Sequence, residues 1–203
     1  MKTIKHISGE NIYFFSDPHY NHYNICKGPT NWEILENTRD FDSIEYMNQT
    51  IIDNINNKVG ENDILYCLGD WSMGNLSNVV NFRKQIKCKN IYLILGNHDK
   101  HIRKNKDNIQ SIFLSVQDYA QIQIDKQRII LMHYPIYSWA GMNHGSIHLF
   151  GHVHSKYDNR GKSMDVGVDN AYKLLGHYEP FSYEEILDIL KNKIIKEEEK
   201  III

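Results

Sequence analysis

Histidines, carboxylates and an amide occur in short blocks, and each block directly follows an apolar stretch of the chain. The blocks are Asp17-Pro18-His19, Gly69-Asp70, Gly96-Asn97-His98-Asp99 and Gly151-His152-Val153-His154. Imidazoles, carboxylates and amides are the ligands of hydrolytic sites that hold two divalent metal ions. Such ions promote phosphate ester hydrolysis because they acidify a bound water and neutralise the phosphoryl oxygens. The residue types therefore predict a two-metal hydrolytic centre.

The spacing of apolar residues predicts the elements that carry these blocks. Strands are predicted over residues 11–15, 64–68 and 91–95, and helices over residues 43–57 and 76–87. In the first of these helices, apolar residues recur every three or four positions and form one face. Each strand is followed at once by a candidate ligand, and the carboxyl ends of neighbouring strands in α/β sheets form ligand sites. Residues far apart in the sequence can therefore share one site.

The second half of the chain contains short strand-like stretches with little helix between them. They cover residues 112–116, 120–124, 128–132, 148–150 and 164–168. This pattern indicates mixed or antiparallel pairing. Ser182-Tyr183-Glu184-Glu185 fits a capping box that begins a last helix, which ends near Leu190. Because no linker or repeat interrupts the chain, the sequence predicts one α/β domain over residues 1–203.

The composition is that of an ordinary globular chain. The 203 residues are 41% hydrophobic and 24% charged, which suits a single domain, and the net charge of -2 gives no global attraction to nucleic acid or membranes. Three cysteines without a Cys-x-x-Cys pair argue against a disulfide framework or a structural zinc. The first residues lack the apolar core of a signal peptide, and no apolar stretch is long enough to cross a bilayer. We therefore expect a cytoplasmic protein of undetermined oligomeric state.

Two clusters of basic residues lie close together in the chain. They are Lys100, His101, Arg103, Lys104 and Lys106, and Arg83, Lys84, Lys87 and Lys89. A solvated helix face accounts for such clusters, although a cluster beside a phosphate site could also attract a nucleotide or nucleic acid. Nucleic acid therefore stays open as a partner, without support from the net charge.

The order of the chemical blocks resembles that of one known family. The series Asp17-x-His19, Gly69-Asp70, Gly96-Asn97-His98-Asp99, His133 and Gly151-His152-x-His154 is similar to the calcineurin-like metallophosphoesterase superfamily. Residues 17–25 resemble in particular the small stand-alone phosphoesterases of bacteria and their phages. The resemblance implies a four-layer α/β/β/α sandwich of two packed mixed sheets flanked by helices, with two metal ions at one sheet edge.

The resemblance also implies a role for each residue of the centre. It assigns the first metal to Asp17, His19 and His154, and the second metal to Asn97, His133 and His152. Asp70 would lie between the two metals and bind both. It makes His98 the acid for the leaving group or a donor to the phosphate, while Asp99 orients the loop or an imidazole. A metal-bound hydroxide would then attack the phosphorus in line. Mn²⁺ is the first candidate for both ions, with Fe, Zn or Ni as alternatives.

The residues that follow the Gly69-Asp70 block bear on the substrate. In the phosphoprotein phosphatases this block continues into an Asp-Arg pair, whereas here Trp71-Ser72-Met73-Gly74 follows. The sequence therefore favours a phosphodiester, from a nucleotide or a related small molecule. The alternatives are a phosphomonoesterase for nucleotides or small phosphorylated metabolites, and a metal-binding scaffold without catalysis. We expect the loops over residues 27–42 and 136–145 to determine which substrate binds.

Other polar and aromatic residues near the blocks are candidates for supporting roles. His22 could donate to a substrate oxygen, or it is a surface histidine. Tyr134 and Trp139 could form an aromatic wall for a base, or they pack within their own loop. His148 lies within a predicted strand and is expected to be a hydrogen-bonded core histidine or a partner of a metal ligand, rather than part of a third metal site. Asp169 ends a Val-Gly-Val-Asp element that resembles one found in this family, and we expect it to have a structural role or to support a ligand, rather than to be catalytic.

Overall fold

The computed structural model describes residues 3–7, 9–27, 39–105, 109 and 111–195. Most of the predicted specificity loop 27–42, Lys106 of one basic cluster and the apolar residues 201–203 lie outside these ranges. The described strands are β1 (Ile4–His6), β2 (Ile12–Phe15), β3 (Ile64–Cys67), β4 (Asn90–Ile94), β5 (Ser115–Gln117), β6 (Tyr119–Ile124), β7 (Gln127–Met132), β8 (Ile147–Phe150), β9 (Ser163–Asp165) and β10 (Phe181–Ser182). The described α-helices are α1 (Ile44–Lys58), α2 (Leu76–Gln85), α3 (Lys100–Lys104), α4 (Val168–Leu175) and α5 (Tyr183–Leu190). None of these described helices has both the length and the apolar character that a membrane span requires.

The strands form two mixed sheets of five strands each. In the first sheet the order is β10-β2-β3-β4-β5, where β2 to β5 are parallel and β10 is antiparallel to β2. In the second sheet the order is β1-β6-β7-β8-β9, and only β6 and β7 pair antiparallel. The mixed pairing that we predicted for the second half is therefore confirmed. Parallel pairing also brings the carboxyl ends of β2, β3 and β4 to one edge of the first sheet.

The hydrophobic core has one layer between the sheets and another between the first sheet and its helices. Phe14 of β2 and Leu149 of β8 are fully buried between the two sheets. On the other face of the first sheet, Ile51 of α1 and Phe82 of α2 pack against Phe15 and its neighbours. Successive residues of a strand point to opposite faces, so β2 contributes to both layers. The structure thus has the predicted two packed mixed sheets with flanking helices.

The strands of the structure differ from the predicted strands in two situations: where a strand is very short, and where the chain turns within a predicted strand. β1 and β10 have three and two residues, too few to show the alternating pattern by which a strand is predicted. The strand predicted over residues 112–116 lies slightly later, as β5. The strand predicted over residues 164–168 ends at Asp165, and α4 begins at Val168. The chain turns there because the Asp165 carboxylate accepts a hydrogen bond from the N–H of Gly167 at 2.7 Å.

A capping box begins α5, as predicted from Ser182 and Glu185. The Ser182 hydroxyl accepts from the N–H of Glu185 at 3.2 Å, and the Glu185 carboxylate accepts from the N–H of Ser182 at 2.8 Å. The same carboxylate accepts from Lys58 Nζ at 2.8 Å. Burial acts to raise the pKa of Glu185, but the hydrogen bonds from Lys58 and Ser182 outweigh burial and lower this pKa.

We expect the Glu185→Gln variant to be less stable than the wild type at neutral pH by about 1 kcal/mol or less, because solvent screens the lost charge pair. A lowered carboxyl pKa stabilises the fold above the ordinary value of 4.5, and this contribution disappears as the pH falls through the folded-state pKa. Urea unfolding of both chains at neutral and at acidic pH measures the difference. Glu184→Gln, at an exposed position of the same helical turn, is the control. A difference that persists in acid would contradict the assignment to the carboxylate charge.

Candidate metal centre

Loops at the carboxyl ends of five strands bring the predicted ligands together. In the first sheet, β2 is followed by Asp17 and His19, β3 by Asp70, and β4 by Asn97. In the second sheet, β7 is followed by His133, and β8 by His152 and His154. Two sets of donors result: the first group is Asp17, His19 and His154, and the second group is Asp70, His133 and His152. Within each group the donor atoms lie within 4.8 Å of one another, which is close enough to hold a metal ion. Each group takes donors from both sheets.

Asp70 lies between the two groups. Its Oδ2 is 3.6 Å from His19 Nε2 in the first group and 3.6 Å from His133 Nε2 in the second group. Its Oδ1 accepts a hydrogen bond from the backbone N–H of His98 at 2.8 Å. Burial and the nearby Asp17 raise the pKa of Asp70 to about 7. A bound cation would remove this penalty on the carboxylate.

The first group has the polar atoms that a metal ion requires. Among the residues that the structure describes, Asp17 Oδ1 and His19 Nε2 are buried without a hydrogen-bond partner, and they are 3.7 Å apart. The Nδ1–H of His154 donates to Asp169 Oδ2 at 2.7 Å, so its Nε2 faces Asp17 Oδ1 at 3.9 Å. Burial, and then the neighbouring His154, lower the pKa of His19 well below its ordinary value, which favours the neutral imidazole that binds metals. These donors fit a divalent cation.

The second group fits a cation for a similar reason. The Nδ1–H of His133 donates to the carbonyl oxygen of Leu68 at 2.7 Å. The other ring nitrogen, Nε2, therefore carries a lone pair, and it faces the amide oxygen of Asn97 at 3.1 Å. A cation bound between these two atoms would have both of them as ligands. Asn97, which we predicted as a ligand, thus adjoins the second group.

Five of the candidate ligands have an unusual backbone conformation. Asp17, His19, Asp70, His152 and His154 have positive φ values, between 47° and 71°. Left-handed backbone costs side-chain-bearing residues about 1–3 kcal/mol each, and it persists only where the surroundings enforce it. Such strain concentrates at functional sites.

Asp99 connects two of the loops rather than facing the donor groups. Its carboxylate accepts from the backbone N–H groups of Gly96 at 2.8 Å, Asp70 at 2.8 Å and Trp71 at 3.0 Å. A side chain on Gly96 would overlap the Asp70 carboxylate, so these loops can approach only because position 96 is glycine. Asp99 therefore fixes the loop after β3 against the loop after β4.

His98 and His22 lie beside the first group. The ring centre of His98 is 5.2 Å from that of His19 and 5.6 Å from that of His22, and His98 Nε2 is 3.9 Å from Asp70 Oδ2. His22 Nδ1 is 3.2 Å from His19 Nδ1. Because His19 Nε2 faces the other ligands, His19 Nδ1–H is the donor in this contact, and the proton of neutral His22 lies on Nε2. His22 thus supports His19, a contact that the sequence did not suggest.

The aromatic candidates separate into different environments. Tyr134 is 38% exposed and lies beside the second group, with its ring centre 4.8 Å from that of His152. Trp139 is buried in a small cluster with Ile130, and its indole N–H donates to the carbonyl oxygen of Ser146 at 3.1 Å. Trp139 therefore packs within its own loop, the second of the two interpretations above. His148 is a hydrogen-bonded core histidine as predicted: its Nε2 accepts from the N–H of Ile136 at 3.2 Å.

Arg39 is the residue near the centre that sequence reasoning missed. It is 1% exposed, and its guanidinium donates to both oxygens of Asp169, at 2.9 and 3.0 Å. Asp169 in turn accepts from His154 Nδ1, so Asp169 links Arg39 to a candidate metal ligand. Nothing in the spacing of Arg39 relative to the blocks signals these contacts.

Two arginines of the basic clusters form hydrogen bonds or ion pairs with other residues of the chain. Arg83 donates to the carbonyl oxygens of Ile112, Ile86 and Lys89. Arg103 pairs with Asp118 at 2.5 Å. These arginines therefore hold local structure.

Comparisons with known proteins agree with this fold and show the family of the chain. A family model described as calcineurin-like phosphoesterase matches residues 10–193. An uncharacterized protein of Methanocaldococcus jannaschii, MJ1445, is 28% identical over 200 residues, which cover 94% of this chain and 97% of that protein. The crystal structure of AQ665 from Aquifex aeolicus, a protein of unknown function, has a TM-score of 0.64 and 22% identity, and the match covers 89% of this chain and all of that one. The chain belongs to the calcineurin-like phosphoesterase family and is a metal-dependent phosphoesterase.

Proposed function

We propose that the protein hydrolyses a phosphodiester, of a nucleotide or a related small molecule, at a centre of two divalent metal ions. The observation that carries this proposal is the position of Asp70, whose Oδ2 is 3.6 Å from an imidazole nitrogen of each donor group. One carboxylate that lies between two ligand sets suits a pair of ions that share a ligand. The first ion would be held by Asp17, His19 and His154, the second by Asn97, His133 and His152, and both by Asp70.

The ligand charges also suit an anionic substrate. When bound, the two ions would polarise the phosphoryl group and supply an acidified water. The proposed ligands include two carboxylates, while the imidazoles and the amide are neutral. Two divalent ions would therefore leave an excess of positive charge that attracts a phosphate ester. A set of imidazole, carboxylate and amide ligands favours Mn²⁺ as the first ion to test, with Fe, Zn and Ni as alternatives.

His98 is our candidate for the proton donor to the leaving group. It lies next to Asn97 in the chain, and its half-buried ring is beside both His19 and His22. A positioned imidazole that gives a proton to a departing alkoxide lowers the barrier of the hydrolytic step. His22, beside the first group, and Tyr134, beside the second group, are proposed to contact the substrate.

A singly charged diester suits this centre better than a monoester. The position after Asp70 is Trp71, which is fully buried and packs on Phe82, with ring centres 4.4 Å apart. None of the next residues, Trp71-Ser72-Met73-Gly74, is an arginine, so this segment cannot supply the guanidinium that the phosphoprotein phosphatases use to bind a dianionic phosphate. The proposal of a small diester follows from that difference. We also propose a cytoplasmic location, since Cys26, Cys67 and Cys88 are buried free thiols.

The test is a comparison of two generic substrates. The full chain is loaded in turn with Mn²⁺, Ni²⁺, Zn²⁺ or Fe²⁺ and offered bis(p-nitrophenyl) phosphate and p-nitrophenyl phosphate. We expect faster turnover of the diester. Faster turnover of the monoester would favour a phosphomonoesterase, and no turnover of either substrate with any ion would favour a metal-binding scaffold.

We expect the Tyr134→Ala variant to raise KM for an aryl phosphodiester by about 5- to 30-fold, because a ring that stacks on a flat group contributes about 1–2 kcal/mol of binding. kcat should change little, since Tyr134 lies beside the donor groups and not within them. Steady-state kinetics with an aryl and an alkyl diester measure the effect, which should be smaller for the alkyl substrate. Tyr137→Ala is the control, because Tyr137 belongs to the same loop and is 70% exposed. An equal change in both variants would count against a specific contact.

A further inference from the structure

Arg39 contacts both the side chain that holds one ligand of the first group and the backbone that carries the other two. Its Nε and Nη2 donate to the two carboxylate oxygens of Asp169, and Asp169 Oδ2 accepts from His154 Nδ1 at 2.7 Å. This chain of contacts holds the His154 ring with its Nδ1 turned away from the donor group and its Nε2 turned toward Asp17. Partners of this kind fix the tautomer and the orientation of a ligating histidine.

The same guanidinium also holds the backbone that carries the other two ligands. Its Nη2 donates to the carbonyl oxygen of Asp17 at 2.5 Å, and its Nη1 donates to the carbonyl oxygen of Pro18 at 3.0 Å. These carbonyls belong to the segment in which Asp17 and His19 have left-handed backbone, with φ of 56° and 50°. Arg39 therefore contacts the supports of all three members of the first group.

The second group has different supports. His133 donates to the carbonyl oxygen of Leu68, and Asp70 is fixed by the N–H of His98 and by the contact of its own N–H with Asp99. His152 has a support in the first group, since its N–H donates to Asp17 Oδ2 at 2.8 Å. None of the described hydrogen bonds of Arg39 reaches these residues. Arg39 thus contacts the supports of the first group directly, and it reaches the second group only indirectly, for instance through the contact of Asp17 with the His152 backbone.

We propose that Arg39 is a positioning residue that assembles the first metal group selectively, through Asp169 and the Asp17-Pro18 backbone. This inference rests on the proposed two-metal centre. Loss of Arg39 should weaken metal binding at the first group by about 10- to 100-fold, the usual effect of removing a partner of a ligating histidine. Binding at the second group should stay unchanged.

The experiment measures Mn²⁺ binding to the full chain by equilibrium dialysis, with no substrate present. Arg39→Met is made in two backgrounds: His152→Ala, which retains the first group, and His154→Ala, which retains the second group. We expect Arg39→Met to weaken the remaining ion about 10- to 100-fold in the His152→Ala background and to leave its affinity unchanged in the His154→Ala background.

Two further variants keep the test decisive if Arg39→Met folds poorly. Arg39→Lys keeps a charge but cannot bind both Asp169 oxygens and two carbonyls at once, so it should show the same selectivity to a smaller extent. Asp169→Asn can offer an N–H to His154 Nδ1, which would move the ring proton to Nε2 and block that ligand. Near-ultraviolet circular dichroism confirms that each variant is folded.

The outcomes separate this inference from the proposed function. Equal weakening of Mn²⁺ binding in both backgrounds, or none in either, would overturn the selective role of Arg39. A wild-type chain that binds fewer than two ions would instead contradict the two-metal centre on which the inference rests, and the selective role would fail with it.

Discussion

The Asp70→Asn variant is expected to lose phosphodiesterase activity by about 10³-fold or more, because the shared ligand contributes several kcal/mol through both ions. An asparagine has nearly the same size but no charge, so it cannot hold two divalent ions together. We expect the bound metal to fall from two ions per chain toward one. The measurements are kcat/KM for bis(p-nitrophenyl) phosphate and metal content by atomic absorption after dialysis.

Asp125→Asn is a matched control for this prediction. Asp125 also has left-handed backbone, with φ of 52° against 53° for Asp70, but it lies in the turn between β6 and β7. The control therefore tests the same chemical change at the same backbone conformation, at the end of β7 opposite to His133. Its activity and metal content should match the wild type. An Asp70→Asn variant that keeps two ions and most of its activity would contradict the shared ligand.

The His98→Ala variant is expected to lower kcat by about 10²- to 10⁴-fold while the chain keeps both metal ions. The imidazole is proposed to give a proton to the leaving group, so the loss should be largest for esters with poor leaving groups. A series of aryl phosphodiesters of increasing leaving-group pKa measures this dependence. His101→Ala, on the exposed surface three residues later, is the control.

The pattern of the loss distinguishes three roles for His98. A defect that grows as the leaving group becomes worse supports a general acid. An equal defect for every ester would indicate a donor to the phosphoryl oxygens instead, and this was the second role that the sequence left open. Loss of metal together with activity would mark His98 as a structural residue and contradict both roles.

The convergence of the candidate ligands could be predicted because it follows from the direction of the strands. Asp17, Asp70 and Asn97 each follow a strand of a parallel set, and parallel strands end at one edge. Each of these strands is a short, continuous apolar run, which is the pattern of a strand covered on both faces and can be recognised in the sequence. The pairing of the second sheet could be predicted only in kind, as mixed, because strand order depends on contacts between distant segments.

Other properties of the centre depend on tertiary contacts that leave no local signal. A histidine gives no sign in the sequence that it adopts left-handed backbone, yet His19, His152 and His154 do so. Each of them donates a hydrogen bond to a residue of a different segment of the chain. Arg39 is separated from Asp169 by 130 positions, and no periodicity connects the two. Likewise, Trp139 could be assigned to a site or to a loop core only after its neighbours were known.

Because each donor group takes ligands from both sheets, bound metal would also increase the stability of the fold. The first group joins Asp17 and His19 of one sheet to His154 of the other, and the second group joins Asp70 to His133 and His152 in the same way. Each bound ion would therefore act as a cross-link between the halves of the sandwich. At a hundred times its dissociation constant, an ion would raise the free energy of unfolding by about 2.7 kcal/mol. A shortage of metal would then shorten the lifetime of the folded chain as well as abolish its catalytic activity.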